Sequence, residues 1–297
     1  MPKPWLLRIH RWVALLFALP LVVVIATGLI LAFEPMLVVG AIKPNSVNAA
    51  KIEALLARHD PQAKARAISL RSYANTLTLG AGRQSGPTID LATGEVAPEQ
   101  GALAQWLVTS RRLHETLLID ARWLVTASTI AMLALILIGL AMGLPRLANS
   151  AAGWHKVTAW SLLPLVVLSP LTGLAMAFGV TFSDPPRGRG ETALSLVDAV
   201  HTVGREHDLS SLVWLRERGG RMLARLVENG EYRVYVVSPA GLTAVERNWP
   251  RLLHEGNWRG FLSAGLNVVS ALAFICLLAT GLYMWGTRRA RRRPRNA

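Results

Sequence analysis

Four long apolar runs divide the chain, and polar stretches of two kinds separate them. The runs at 12–33, 123–144, 154–181 and 262–285 are predicted membrane spans. At about 1.5 Å rise per residue the first covers roughly 33 Å, enough to cross a hydrocarbon core. Pro20 is expected to kink it slightly, which membrane helices tolerate, and Glu34-Pro35 to end it. Residues 46–100 and 191–247 read differently. Ala49–Ala57 and Ala193–Glu206 are amphipathic helices, with Ser46 a candidate cap for the first. Strand signals follow at Asn75–Leu79 and Thr88–Val96, the latter turning at Thr93-Gly94. In the second stretch Met222–Val227 and Tyr232–Val237 flank Glu228-Asn229-Gly230, a hairpin signal. Residues 103–122 are predicted helical but too polar to span.

The pattern repeats. Residues 8–33 and 154–178 share landmarks at an offset of 145: His10 and His155, Arg11 and Lys156, Thr27-Gly28-Leu29 and Thr172-Gly173-Leu174, Ala32-Phe33 and Ala177-Phe178. Spans two and four correspond less exactly. Leu113-His114-Glu115 precedes one and Leu253-His254-Glu255 the other, and Gly139-Leu140-Ala141-Met142 matches Gly281-Leu282-Tyr283-Met284 near their ends. The chain therefore divides into a first span (1–37), a small α+β module (46–100), a pre-span helix and second span (103–146), a third span (154–181), a second module (191–247), a fourth span with its lead-in (251–286) and a basic tail (287–297). The expected fold is an α-helical membrane protein, a four-helix transmembrane bundle from a duplicated span–module–span unit with two small α+β modules outside the membrane.

Composition agrees. The 297 residues are 52% hydrophobic and only 17% charged, against about 25% charged in soluble domains. Net charge is +14, but six arginines crowd the last ten residues, where they suit a topology and lipid-surface anchor and not a nucleic-acid site. Lys3, Arg8 and Arg11, then Arg146 and Lys156, then the tail place the termini and the short middle loop in the cytoplasm, and both modules outside, in a bacterial periplasm. Residues 12–33 are too long for a signal-peptide core. The single cysteine, Cys276, excludes disulfides, iron–sulfur clusters, Cys-ligated zinc and covalent haem attachment.

Four of the seven histidines sit at span edges. Pseudo-symmetry sets His10 opposite His155 on the cytoplasmic side and His114 opposite His254 on the other. Facing imidazoles from two helices are a usual way to hold haem b by both axial positions of its iron. Two such haems would form a wire across the bilayer. His114 stands about nine residues before its apolar run, so its haem is expected at or above the lipid boundary. Gly28 and Gly173 each lie 18 residues, five helical turns, after His10 and His155, and so share their faces. A glycine there lets a planar cofactor or another helix come close.

These residues resemble the PepSY-associated transmembrane proteins, a family that includes FoxB-type ferric-siderophore reductases. His10-Arg11-Trp12 with Thr27-Gly28, Trp154-His155-Lys156 with Pro170-Leu171-Thr172-Gly173, and the two Leu-His-Glu motifs carry the resemblance. It implies PepSY-like modules and a bacterial inner-membrane di-haem protein. Such a protein takes electrons from a cytoplasmic donor or a quinol and passes them to a periplasmic acceptor, with ferric siderophore the expected substrate. No dinucleotide fingerprint is present, so the donor is a separate molecule. The competing class is a non-enzymatic PepSY regulator or sensor, which needs no span-edge histidines. A transporter would be expected to carry ionisable residues at mid-depth, and the spans hold almost none.

Overall fold

A computed structural model describes residues 4–81, 84–97, 101–144, 148–183 and 194–292. Lys3, Arg146, Arg293 and Arg295, and most of the 183–190 linker, lie outside the described residues.

The first run is three helices nearly end to end: α1 (Pro4–Leu16), α2 (Ala18–Ala32) and α3 (Glu34–Ala41). The break at Phe17 comes three residues before Pro20, whose ring nitrogen cannot donate to the Leu16 carbonyl. Glu34-Pro35 does not end the helix as expected. Pro35 falls in the first turn of α3, where its missing N–H is no loss. After the α+β stretch come α5 (Ala102–Thr116), α6 (Arg122–Ala141), α7 (Ala151–Ser161) and α8 (Leu163–Ala177). A 69° bend separates α7 from α8. Pro164 in the first turn of α8 accounts for it, since position 162 is where the repeat places the Phe17 break. The last helix, α11 (Gly260–Arg292), is about 50 Å long. Three helical stretches are long and apolar enough to cross a membrane, 18–41, 122–141 and 260–290, and the bent α7–α8 pair makes a fourth if it is one span. Leu21 and Ile25 of α2, Val166 of α8 and Ala273 and Phe274 of α11 share one apolar core, with Met132, Leu135 and Ile136 of α6 against it.

The two intervening stretches are not separate modules. Helix α4 (Ala49–His59) with β1 (Ala67–Arg71), β2 (Thr76–Ala81) and β3 (Gln84–Asp90), and helix α9 (Leu196–Glu206) with β4 (Leu212–Arg218), β5 (Arg221–Glu228), β6 (Glu231–Ser238) and β7 (Gly241–Ala244), build one seven-stranded sheet. Its order is β3-β2-β1-β4-β5-β6-β7, so the halves meet at the antiparallel β1–β4 pair. Ile68 and Leu215 face each other across that seam and are fully buried, each contributing about 1.5–3 kcal/mol by burial. Ile52 and Leu55 of α4 and Ala199, Val200 and Val203 of α9 complete this core. Two helix caps hold the entries: Asn48, not Ser46, accepts from Lys51 N at 2.9 Å, and Ser195 accepts from Asp198 N at 3.1 Å. Around Thr93-Gly94 the expected second strand reduces to a single bridge between Ile89 and Val96.

The β5–β6 turn ties the sheet to the helices. Asn229 (φ 49°) and Gly230 (φ 81°) are both left-handed, as a type I′ turn requires. Helix α10 (Trp249–Glu255) follows β7, and the loop from it to α11 is stitched to the turn by Tyr232 N to Asn257 O at 2.9 Å and Gly260 N to Gly230 O at 2.7 Å. A Cβ on Gly230 would meet Gly260 Cα at 2.7 Å. Gly230→Ala is therefore expected to destabilise the protein by about 2 kcal/mol or more, combining a left-handed alanine with a backbone clash. Chemical unfolding in detergent checks this.

Candidate functional site

Helix α5 packs along α2 and α10 along α8. Each brings a histidine onto the span beside it. His114 Nδ1 lies 2.9 Å from Val24 O, and His254 Nδ1 lies 3.0 Å from Ser169 O. A carbonyl only accepts, so in both rings Nδ1 carries the proton and Nε2 keeps its lone pair free. Thr27 and Thr172 sit 3.3 Å from the same two Nδ1 atoms, and each hydroxyl donates back into its own helix at 2.7 Å, to Val23 O and Leu168 O. His114 thus lies beside the first span and not beyond its end.

Gly28 and Gly173 make this approach possible. A Cβ on Gly28 would stand 3.2 Å from His114 Cε1, and one on Gly173 would stand 3.0 Å from His254 Cε1. The shared face expected for each glycine and its histidine is interrupted, since His10 and Gly28 lie on α1 and α2, and His155 and Gly173 on α7 and α8; the groups the glycines admit are the imidazoles of the other pair. The sequence offered a signal for the threonines, since Thr-Gly recurs in both halves. Nothing in it pointed to the two carbonyls.

The structure brings the four histidines together as two pairs. His10 and His155 have ring centroids 6.3 Å apart and planes at 85°. His114 and His254 are 6.1 Å apart at 48°. The second pair lies toward the sheet and is here termed apical; the first is basal. In the basal pair, His155 Nδ1 is 2.9 Å from Thr280 Oγ1. That hydroxyl already donates to Cys276 O at 2.6 Å, so it accepts from His155 and fixes the same tautomer. His10 is different. The repeat sets Ile138 where Thr280 stands in the other half. The Leu135 carbonyl faces His10, but Nδ1 is buried without a hydrogen bond of ordinary geometry.

A metal about 2 Å from each imidazole nitrogen, with roughly 1 Å more to each ring centre, sets two axial rings about 6 Å apart. Both pairs fit that span, and three of the four rings present a free Nε2. Among the described residues no group of three or more His, Cys, Asp or Glu side chains could hold an ion. Two ligands per site therefore suit a cofactor that brings its own equatorial donors. The other histidines have local roles: His59 Nε2 is 2.8 Å from Gly94 O, and His201 meets Glu53 at 2.9 Å, linking α9 to α4.

Charged groups gather between the apical pair and the sheet. Arg111 pairs with Glu34, and Arg225 with Glu255 at 2.9 Å. Burial works to raise the Glu255 carboxyl, but Arg225 and Arg251 overcome it and hold its pKa below the usual range. Burial pushes the Tyr232 phenol well up. On the sheet, a cleft of about 360 Å³ is lined by Glu228, Glu231, Arg233, Tyr235, Arg247 and Trp258. Burial would raise the Glu231 carboxyl, but Arg247 and Arg233 hold it low. Trp258 stands four residues after His254 in the chain.

These features define a membrane-helical protein with a paired histidine site at two depths and a sheet joining its halves. The sequence matches the family described as the PepSY-associated TM region over residues 7–288, and the chain belongs to that family. No curated protein matches it.

The glycine contacts make a paired prediction. Gly173→Ala is expected to cost about 1–3 kcal/mol by forcing His254 aside. Gly139→Ala, with open space around its Cβ, should be neutral or stabilising. Thermal unfolding in detergent separates the two.

Proposed function

We propose that the chain is a di-haem electron conduit of the bacterial inner membrane. Its four spans form the bundle, its termini are cytoplasmic and its sheet is periplasmic. The observation that supports this best is the pair of 6.1 Å and 6.3 Å imidazole separations at two levels of one helical core. His10 and His155 would hold the cytoplasmic-side haem b, and His114 and His254 the periplasmic-side one. When bound, the two haems supply one-electron carriers between a cytoplasmic or quinol donor and a periplasmic ferric complex, a ferric siderophore being the substrate class, whose hard oxygen donors hold reduced iron far less well.

The protein's own groups do the rest. Val24 O, Ser169 O and Thr280 Oγ1 keep three imidazoles in the ligating tautomer. Leu21, Ile25, Val166 and Phe274 keep the space between the pairs apolar. The cleft that Trp258 lines, four residues along the chain from His254, would give an acceptor a seat, at the small end of the usual volume for ligand pockets.

Purified wild-type protein is expected to show a Soret band. His10→Ala/His155→Ala and His114→Ala/His254→Ala should each remove about half of it. A band unchanged in either double variant would overturn that pair's assignment, and colourless wild type would overturn the whole reading in favour of a regulator. Ile138→Thr should supply the hydroxyl His10 lacks and tighten haem retention at the basal site, within the roughly 10–100-fold range of such outer-shell effects.

A further inference from the structure

The polar collar on the sheet side of the apical pair exceeds what histidine ligation needs. Along α2 and α3, which run toward the sheet, Val24 accepts from His114 while Glu34, ten residues further, pairs with Arg111. Arg111 therefore lies one helical turn sheetward of His114 on α5. The second half repeats this placement. Arg111-Arg112-Leu113-His114-Glu115 and Arg251-Leu252-Leu253-His254-Glu255 share the order Arg-x-Leu-His-Glu. One arginine thus stands a turn before each apical histidine.

A third guanidinium comes down from the sheet. Arg225 of β5 is 9% exposed, bonds Glu255 at 2.9 Å and lies 4.7 Å over the Tyr232 ring. Its Nε is buried without a partner, and so is Oδ1 of Asn257 beside it, although Asn257 Nδ2 reaches Glu255 at 2.8 Å. Tyr232 feels Arg225, Glu34, Glu255 and Arg111 together, so these charges form one cluster. An unpartnered guanidinium N–H is costly to bury unless a ligand brings the acceptor. Arg111 and Arg251 are each 44% exposed at the side chain, so each can turn to a further carboxylate.

We propose that Arg111 and Arg251, backed by Arg225, receive the two propionate carboxylates of the haem between His114 and His254. This rests on the haem reading above and adds its orientation. The acid edge of the macrocycle would then face the sheet, with guanidinium–carboxylate forks from both halves. Ion pairs account for Arg111 with Glu34 and for Arg251 with Glu255 at 3.6 Å, but not for the orphaned Nε of Arg225 or for the recurrence of the arginine one turn before each apical histidine.

The test uses full-length protein in detergent, depleted of haem and reloaded with haem b or with its dimethyl ester, whose acid groups are neutral. Wild type is expected to retain haem b at the apical site about tenfold or more longer than the diester, in a transfer assay to apomyoglobin. In Arg111→Gln/Arg251→Gln that preference should shrink toward one, and the midpoint potential of one of the two haems should fall as its propionates lose their counter-charges. An unchanged preference with unchanged potentials overturns the proposal and leaves the haem reading standing. Wild type that takes up neither form overturns the haem reading itself. If the double variant does not fold, wild type decides alone: equal retention of haem and diester contradicts the propionate site.

Discussion

The contact between a glycine on a span and an imidazole on the neighbouring helix sets the geometry of the apical site. With Gly28 and Gly173 in place, His114 and His254 lie close enough to α2 and α8 to give their Nδ1 protons to main-chain carbonyls. That one bond fixes the tautomer and leaves Nε2 of each ring with a free lone pair. A larger residue would push the imidazole away from the carbonyl and change the 6.1 Å separation of the two rings. Metal–ligand distances tolerate only about 0.2 Å, so a few tenths of an ångström at either glycine is a large disturbance.

The sheet serves the same constraint from above. Helices α5 and α10 are too short and polar to hold themselves in place, and most of their fixing comes from packing. The β1–β4 seam joins the two halves into one body, and the Gly230–Gly260 stitch ties that body to the loop after α10. Backbone hydrogen bonds thus connect the sheet halves to each other and to the loop that follows the His254 helix. The basal pair has no such clasp. It depends on α7, which a 69° bend separates from α8, and on His10, whose Nδ1 has no hydrogen bond of ordinary geometry.

Much of this was legible in the sequence. The duplicated His…Thr-Gly pattern pointed to the pairing of His10 with His155, and the two Leu-His-Glu motifs to that of His114 with His254, before any geometry was known. The Glu228-Asn229-Gly230 hairpin was readable because left-handed turns demand those residues. The central strands β1 and β4 were not. Ala67–Arg71 and Leu212–Arg218 are short and carry serine, arginine and glutamate, and their pairing across 145 residues is a tertiary fact with no local signature. The sequence leaves the partner of Gly28 open, as a planar cofactor or another helix, for a related reason; the structure brings α5 there through His114. Helical periodicity shows which residues share a face, but not which neighbour that face meets. The 69° bend had a signal in Pro164, in the first turn of α8, to which the apolar pattern of the run gives no weight.

The central claim is that both histidine pairs ligate haem. The most direct test is the haem-to-protein ratio of the purified chain, taken with its low-temperature electron paramagnetic resonance spectrum. The account predicts two haems per chain and two low-spin signals, the more anisotropic one from the basal pair, whose ring planes stand at 85°, and the other from the apical pair at 48°. A chain that purifies without haem, or with one haem whose signal survives loss of the His114–His254 pair, would contradict it.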